Sequence, residues 1–143
     1  IYLYPSLCYF EATNVSLGRG TDKPFQQFGH PNMKGYDYSF TPESREGAKN
    51  PPQLGNKCFG RDLSGMSDDE ILAKQLDLSY LIEAYRSVNE GDKFFTSFFE
   101  KLIGVDWVRT MIEEGKSAEE ISQRWKPDVE KFKQQSRKYL LYK

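Results

Sequence analysis

Glu-Ala-Thr-Asn-Val-Ser-Leu-Gly-Arg-Gly-Thr, residues 11–21, is the stretch around which the rest of this chain is organised. We call it the signature segment; it is polar, punctuated by glycine, and followed by the apolar pair Pro24-Phe25. Gly18 and Gly20 bracket Arg19, which indicates a turn that needs positive φ or a close approach to another group. A carboxylate, an amide, hydroxyls and a guanidinium on one loop suit a ligand that is acidic or rich in hydroxyl groups.

A purely structural role accounts for the same residues. Loops that cross the edge of a sheet also collect Gly, Asn, Ser and Thr, because these residues favour turns. Glu11 and Arg19 could simply pair at the surface, where an ion pair contributes at most about 1 kcal/mol. The residue chemistry by itself leaves both interpretations open.

Composition narrows the class of protein. The 143 residues are enough for one domain with a sizeable core. The net charge of -1 argues against a nucleic-acid-binding surface. No apolar run approaches the roughly 20 residues of a membrane helix. Aromatic residues are 15% of the chain, which fits a dense core, a sugar-stacking surface or a domain interface, and we expect most of them in the core.

The cysteines and the single histidine give no metal-binding pattern. Cys8 and Cys58 form no Cys-x-x-Cys pair, and with His30 alone the zinc-ligand spacings are missing. We expect two buried free thiols, with a disulfide as the alternative if the protein is exported. Because the sequence starts at Ile1 without an initiator methionine or a signal-peptide pattern, we expect it to be a piece of a longer protein.

The first half of the chain predicts strands and turns. Alternating or short apolar runs bounded by Gly and Pro favour strands over residues 1–4, 25–30, 36–41 and 57–63. Ser6 is a candidate cap for one or two helical turns before the signature segment. Residues 43–56 lack periodicity and are rich in Gly and Pro, which predicts a long loop; such loops are often functional.

The second half predicts helices. Ser67-Asp-Asp-Glu70 and Ser117-Ala-Glu-Glu120 are capping-box patterns, and apolar residues at helical spacing mark helices over 78–85, 94–103 and 107–112. The phenylalanines of residues 94–99 fit a core face better than a sugar platform. Pro127 is expected to kink or restart the last helix, whose basic end fits a solvated face. The predicted fold is therefore α+β: a small, mostly antiparallel sheet from the first half, covered by helices from the second.

The signature segment resembles the sequence signature of the exo-acting β-N-acetylmuramidases, the NamZ-like family, long listed only as a domain of unknown function. The likeness starts at Tyr4-Pro5-Ser6-Leu7-Cys8 and continues through the segment to Pro24-Phe25. Further similar stretches follow in the family's order along nearly the whole chain, namely Phe40-Thr41-Pro42, Cys58-Phe59-Gly60, residues 78–85, 94–95 and 98–99, Trp125-Lys126-Pro127 and residues 139–142. Ala12 departs from the pattern, because the family usually has glycine at this position.

The resemblance implies a bacterial, peptidoglycan-directed glycoside hydrolase. Its relatives are two to three times as long and pair an N-terminal Rossmann-like domain with a C-terminal domain, so residues 1–143 are expected to form the latter as a single domain. The implied activity releases N-acetylmuramic acid from the non-reducing ends of cell-wall fragments, without metal or organic cofactor. The implied location is periplasmic or exported, in cell-wall turnover and muropeptide recycling. The expected partners are a peptidoglycan-derived sugar and the N-terminal domain of the same chain.

The same resemblance points to site residues within the signature segment. Arg19 is assigned to the lactyl carboxylate of the substrate, because a guanidinium binds a carboxylate bidentately. Glu11 is the tentative general acid, with a sugar-hydroxyl contact or bracing of the loop as alternatives. The other candidate substrate-binding residues are Asn14, Ser16, Gly20 and Thr21. His30 is expected to be a strand-end polar residue rather than a catalyst.

Two classes of function follow. In the first, the domain forms one wall of a cleft whose principal catalytic carboxylates lie in the N-terminal domain, so the isolated fragment is inactive. In the second, it is a non-catalytic module that binds glycan or supports a neighbouring catalytic domain.

Overall fold

A computed structural model of the protein describes residues 1–142. Within that range the fold is α+β, as predicted, with the strands in the first half of the chain and most of the helices in the second. The helices are α1 (Tyr4–Leu7), α2 (Asp68–Lys74), α3 (Ser79–Val88), α4 (Phe99–Ile103), α5 (Trp107–Glu113) and α6 (Ala118–Ser136). Short 3-10 helices cover Cys8–Ala12, Gly91–Lys93 and Arg137–Tyr139. The strands are β1 (Gln27–His30), β2 (Tyr38–Phe40) and β3 (Cys58–Asp62).

The sheet is antiparallel and has β3 in the centre. Gly29 of β1 pairs with Gly60 of β3, and Tyr38 of β2 pairs with the same Gly60 from the other side. All three strands lie inside stretches that the sequence predicted. The loop over residues 43–56 is also confirmed, since it contains neither helix nor strand.

The signature segment lies between the sheet and the helical half of the fold. Ser16 exchanges two backbone hydrogen bonds of 2.9 Å with Gly29, which adds a bridge to the outer edge of β1. On the other side, the Asn14 N–H donates to the Phe94 carbonyl at 3.0 Å, and the Thr96 N–H donates to Ala12 at 2.9 Å. The segment is therefore held by the sheet and by the helical half at once.

The hydrophobic core lies where these parts meet. Val15 and Leu17 of the signature segment are completely buried, as are Phe10, Phe28 and Leu81 from the elements around them. Phe10 and Phe28 stack with their ring centroids 5.0 Å apart. Burying each side chain of this size contributes about 1.5–3 kcal/mol, so the segment that carries the candidate site also stabilises the fold.

The predicted strand over residues 1–4 is wrong. The N–H of Tyr4 donates to the carbonyl of Ile1 in a turn, and α1 begins at once. Pro5 occupies the first turn of α1, where its missing N–H leaves no intrahelical bond unmade, so it begins a helix instead of ending a strand. The helical turns predicted after Ser6 are present, but Ser6 does not cap them; its hydroxyl contacts the backbone of Gln75 and Asp77.

The phenylalanine-rich helix is shorter than predicted. It begins at Phe99 instead of Phe94, because the preceding residues use their backbone to pair with the signature segment. Phe94, Phe95 and Phe99 are buried as a core face would require, whereas Phe98 is 50% exposed. Backbone pairing with a distant segment thus overrides the apolar spacing.

The remaining helices follow their sequence signals. Both capping boxes are formed, with Ser67 and Ser117 accepting the backbone N–H of the glutamate three residues on. Pro127 does not restart the last helix, since α6 runs unbroken from Ala118 to Ser136. The basic residues near its end are exposed, as predicted. Across residues 1–142, none of the helices combines the length and hydropathy that a membrane crossing requires.

Candidate functional site

The turn that carries Arg19 is built by two glycines with positive φ. Gly18 has φ +86° and Gly20 has φ +80°, which is a conformation that other residues adopt at a cost. The Gly20 carbonyl accepts the backbone N–H of Glu43 at 2.9 Å, and a Cβ at Gly20 would meet the same residue's carbonyl and the ring of Pro51. The glycine is therefore required where the long loop closes over the turn.

Arg19 and Glu11 form an ion pair across this turn. The Nη2 of Arg19 lies 2.5 Å from the Oε1 of Glu11, and their side chains are 41% and 27% exposed. Within residues 1–142, the Arg19 guanidinium makes one side-chain hydrogen bond, to Glu11, so its other N–H groups remain for a ligand. The acid and the guanidinium that the sequence singled out are thus brought together at a half-exposed position.

Phe25 lies beneath the guanidinium. The Cζ atom of Arg19 lies 5.0 Å from the centroid of the Phe25 ring, which is cation–π geometry. Tyr4 packs on the same ring, with 5.0 Å between the centroids. Phe25 holds φ +58°, an uncommon backbone conformation for an aromatic residue, and such strained positions concentrate at functional sites. No local pattern indicates this role of Phe25, because its backbone conformation depends on the tertiary structure.

An apolar cavity of about 530 Å³ shares Phe25 with this arrangement, although neither Glu11 nor Arg19 lines it. Tyr4 and Phe25 form part of its wall together with Tyr2, and both tyrosines are 49% exposed. Its remaining wall comes from the first residues of the chain, Leu63 to Met66 and the start of α2. A volume in this range is typical of small-molecule sites, and aromatic walls suit the apolar face of a sugar ring.

Ser16 and Thr21 make their hydrogen bonds inside the loop. Ser16 is fully buried and its hydroxyl accepts the N–H of Gly18 at 3.3 Å. Thr21 donates to the Gly18 carbonyl at 2.6 Å and accepts from the side chain of Gln27 at 2.6 Å. Both hydroxyls therefore shape the turn, and their direct contact with a ligand stays a prediction.

Asn14 is directed to a carboxylate that the sequence reasoning missed. Its Nδ2 donates to the Oε2 of Glu90 at 2.5 Å, and its backbone carbonyl accepts from Gln53 at 2.8 Å. Glu90 lies 76 residues further along the chain and carries no local sequence signal. Only the pairing of the signature segment with residues 94–96 brings it there.

His30 and Cys58 take the structural roles expected of them, whereas Cys8 is only partly buried, not buried as predicted. His30 ends β1, and burial lowers its pKa below the ordinary value although the charge of Glu90 raises it. Both thiols are free; burial raises the pKa of Cys58 to about 12 and also raises the pKa of Cys8. Over the part of the chain that the structure describes, no three His, Cys, Asp or Glu side chains are grouped so that they could hold a metal ion.

Three comparisons place the chain among known proteins. The family model described as exo-beta-N-acetylmuramidase NamZ, C-terminal, matches residues 2–142. The peptidoglycan beta-N-acetylmuramidase NamZ of Bacillus subtilis (strain 168) is 32% identical over 153 residues, which cover 99% of this chain and 37% of that protein. A crystal structure of a DUF1343 family protein from Bacteroides fragilis NCTC 9343 is 63% identical with a TM-score of 0.96, and the match covers 99% of this chain and 40% of that one. The chain thus spans about two fifths of the length of these relatives.

Proposed function

Because the chain belongs to the family of NamZ C-terminal domains, we propose that it is the C-terminal domain of an exo-β-N-acetylmuramidase. The complete protein releases N-acetylmuramic acid from the non-reducing ends of peptidoglycan fragments. Since peptidoglycan lies outside the cytoplasmic membrane, a periplasmic or exported location belongs to this proposal, and cell fractionation tests it. The proposal extends to turnover and recycling of cell-wall fragments.

Arg19 is the residue that we assign to the lactyl carboxylate of the substrate. The observation that carries this assignment is the Glu11–Arg19 pair, which is half-exposed, stacked on Phe25 and next to an aromatic-walled cavity. A planar guanidinium with free N–H groups donates two parallel hydrogen bonds to a carboxylate. This contact would distinguish N-acetylmuramic acid from N-acetylglucosamine, which lacks the lactyl group.

Glu11 acts on the substrate through Arg19 in this proposal. A general acid has to carry a proton to the leaving oxygen, whereas a carboxylate 2.5 Å from a guanidinium is engaged as a hydrogen-bond acceptor. We therefore favour Glu11 as a positioning residue over Glu11 as the general acid. It fixes one edge of the guanidinium, so the fork points in one direction when the substrate arrives.

The principal catalytic carboxylates then belong to the rest of the protein. Glycosidic hydrolysis ordinarily takes two carboxyl groups flanking the scissile bond. The matched relatives have about three fifths of their length outside the region that this chain covers. Ligand sites favour domain interfaces, and the aromatic residues that line the cavity could form one side of such a site.

Steady-state kinetics of the full-length protein test the role of Arg19. The substrate is a chromogenic β-N-acetylmuraminide, and the variants are Arg19→Ala and Arg19→Lys. Loss of a charge-assisted hydrogen bond costs about 1.5–3 kcal/mol, so KM for Arg19→Ala should rise roughly 10- to 150-fold. Arg19→Lys should recover only part of this loss, because an ammonium cannot bind the carboxylate in a bidentate way.

Arg137→Ala is the matched control, since Arg137 is exposed near the end of α6. It removes the same charge far along the chain from the signature segment and should leave KM unchanged. Unchanged KM and kcat in Arg19→Ala would refute the role given to Arg19. Full-length protein with no activity on the muraminide would refute the proposed function as a whole.

A glycan-binding module is the second candidate function. The half-exposed tyrosines on the wall of the 530 Å³ cavity favour it, because aromatic faces bind sugars without any catalytic group. Calorimetric titration of the 143-residue chain with N-acetylmuramic acid separates the possibilities. Binding without turnover supports a binding module, and neither binding nor turnover supports a purely structural wall. Turnover by this chain alone would show that the missing carboxylates lie within it.

A further inference from the structure

Glu90 is a carboxylate held in place by two neutral amides. The Nδ2 of Asn14 donates to its Oε2 at 2.5 Å, and the Nδ2 of Asn32 donates to its Oε1 at 2.8 Å. Among residues 1–142, no lysine, arginine or histidine forms an ion pair with it. Each carboxylate oxygen thus has one fixed donor and keeps a lone pair for a further donor.

The histidine whose charge interacts with Glu90 is neutral as well. The Nδ1 of His30 accepts the backbone N–H of Asn32 at 3.1 Å, which leaves the imidazole proton on Nε2. Burial lowers the pKa of His30, so the ring is uncharged at neutral pH. Glu90 therefore keeps hydrogen-bonding capacity for a further donor.

Asn14, which orients this carboxylate, is itself held in an unfavourable environment. The Oδ1 of Asn14 is buried with no hydrogen-bond partner in the structure, which ordinarily costs about 1–3 kcal/mol. Turning the amide over would satisfy neither group, because Oδ1 would then face the carboxylate. Gln53, which donates to the Asn14 carbonyl, holds φ +61°, a conformation that glutamine rarely adopts. These features converge on Asn14, which we regard as the positioning residue for Glu90.

We propose that Glu90, oriented by Asn14 and Asn32, accepts hydrogen bonds from the hydroxyl or acetamido N–H groups of the uncharged sugar next to the N-acetylmuramic acid. This inference rests on the proposed function and assigns a second subsite. A carboxylate repels the lactyl group, so the acidic sugar belongs at Arg19 and the neutral one at Glu90. Asn14 is three residues from Glu11, which places their Cα atoms at most about 11 Å apart, and the proposal requires Glu90 and Arg19 to face the same glycan.

Kinetics with two substrates test this subsite in the full-length protein. One substrate is the disaccharide of N-acetylmuramic acid β-linked to N-acetylglucosamine, and the other is the chromogenic muraminide, which has no second sugar. For Glu90→Gln and Asn32→Ala, the ratio of kcat/KM for the disaccharide over the muraminide should fall. We expect at least a 10-fold fall for Glu90→Gln, since a hydrogen bond to a charged group is worth about 1.5–3 kcal/mol.

Asn32→Ala guards against misfolding, because Asn32 is exposed and its loss leaves the Asn14 contact in place. Glu46→Gln, on the exposed loop, is the control for removing a charge. An unchanged ratio in both Glu90→Gln and Asn32→Ala would overturn the subsite, including the case in which both substrates lose activity equally. Wild-type protein that cleaves neither substrate would overturn the proposed function, and the subsite with it.

Discussion

Replacing Gly20 by alanine should destabilise the protein through two separable effects. The first is the backbone, because φ +80° costs a residue with a Cβ about 1–2 kcal/mol. The second is space: the new Cβ would lie 2.7 Å from the Cγ of Pro51 and closer still to the carbonyl oxygen of Glu43. Forcing an extra carbon into such a contact typically costs about 1–3 kcal/mol. Together the two effects predict a loss of about 2–5 kcal/mol in the free energy of unfolding.

Gly47→Ala is the matched control. Gly47 has φ +83°, but a Cβ placed there would meet no atom within 4 Å, so only the backbone term applies. Urea unfolding followed by circular dichroism should show Gly20→Ala less stable than Gly47→Ala by about 1–3 kcal/mol. Equal losses in the two variants would refute the claim that the long loop closes against Gly20. A difference of the predicted size would assign Gly20 to the architecture of the turn.

Three further outcomes are expected. Burial lowers the pKa of His30, the chain's single histidine, so its ring protons should titrate with a midpoint below pH 6.5 by NMR. The stability that the neutral ring allows should be fully present above pH 6.5 and be lost as the pH falls through the lowered pKa. A midpoint above pH 6.5 would contradict this. Burial raises the pKa of Cys8 and raises that of Cys58 to about 12, so in the native chain a disulfide reagent at pH 8 should modify Cys8 slowly and leave Cys58 unmodified. Both thiols should react after unfolding, and fast modification of Cys58 in the native chain would contradict its burial. Phe99→Ala should cost about 3–5 kcal/mol of unfolding free energy, whereas Phe132→Ala, at a 68% exposed position, should cost little; equal effects would show that the core is misplaced.

Local sequence signals were sufficient where one element depends mainly on itself. The capping boxes at Ser67 and Ser117 form as predicted, because each satisfies its own helix terminus. The three strands lie inside their predicted stretches, since alternation and bounding turns act over a few residues. Prediction failed at residues 1–4, where Pro5 begins a helix instead of ending a strand, and at residues 94–98, where a distant partner competes for the backbone.

The candidate site divides in the same way. Glu11 and Arg19 were identified from residue chemistry and family likeness, and the structure brings them within 2.5 Å of each other. Glu90 and the strained Phe25 were not identified. Neither carries a local pattern, because their roles depend on contacts with residues far away or on a backbone conformation imposed by the fold.

The sequence by itself determined the α+β class, the family and the segment on which the candidate site is built. The class could be predicted because turn chemistry, helix capping and hydrophobic periodicity act over a few residues, and the family followed from the resemblance of the signature segment. Only the tertiary structure decided what that segment contacts: the sheet on one side, the residues before α4 on the other, and Glu90 beside Asn14. Those contacts join residues up to 84 positions apart, and their free energy comes from burial and backbone pairing, which no local pattern encodes.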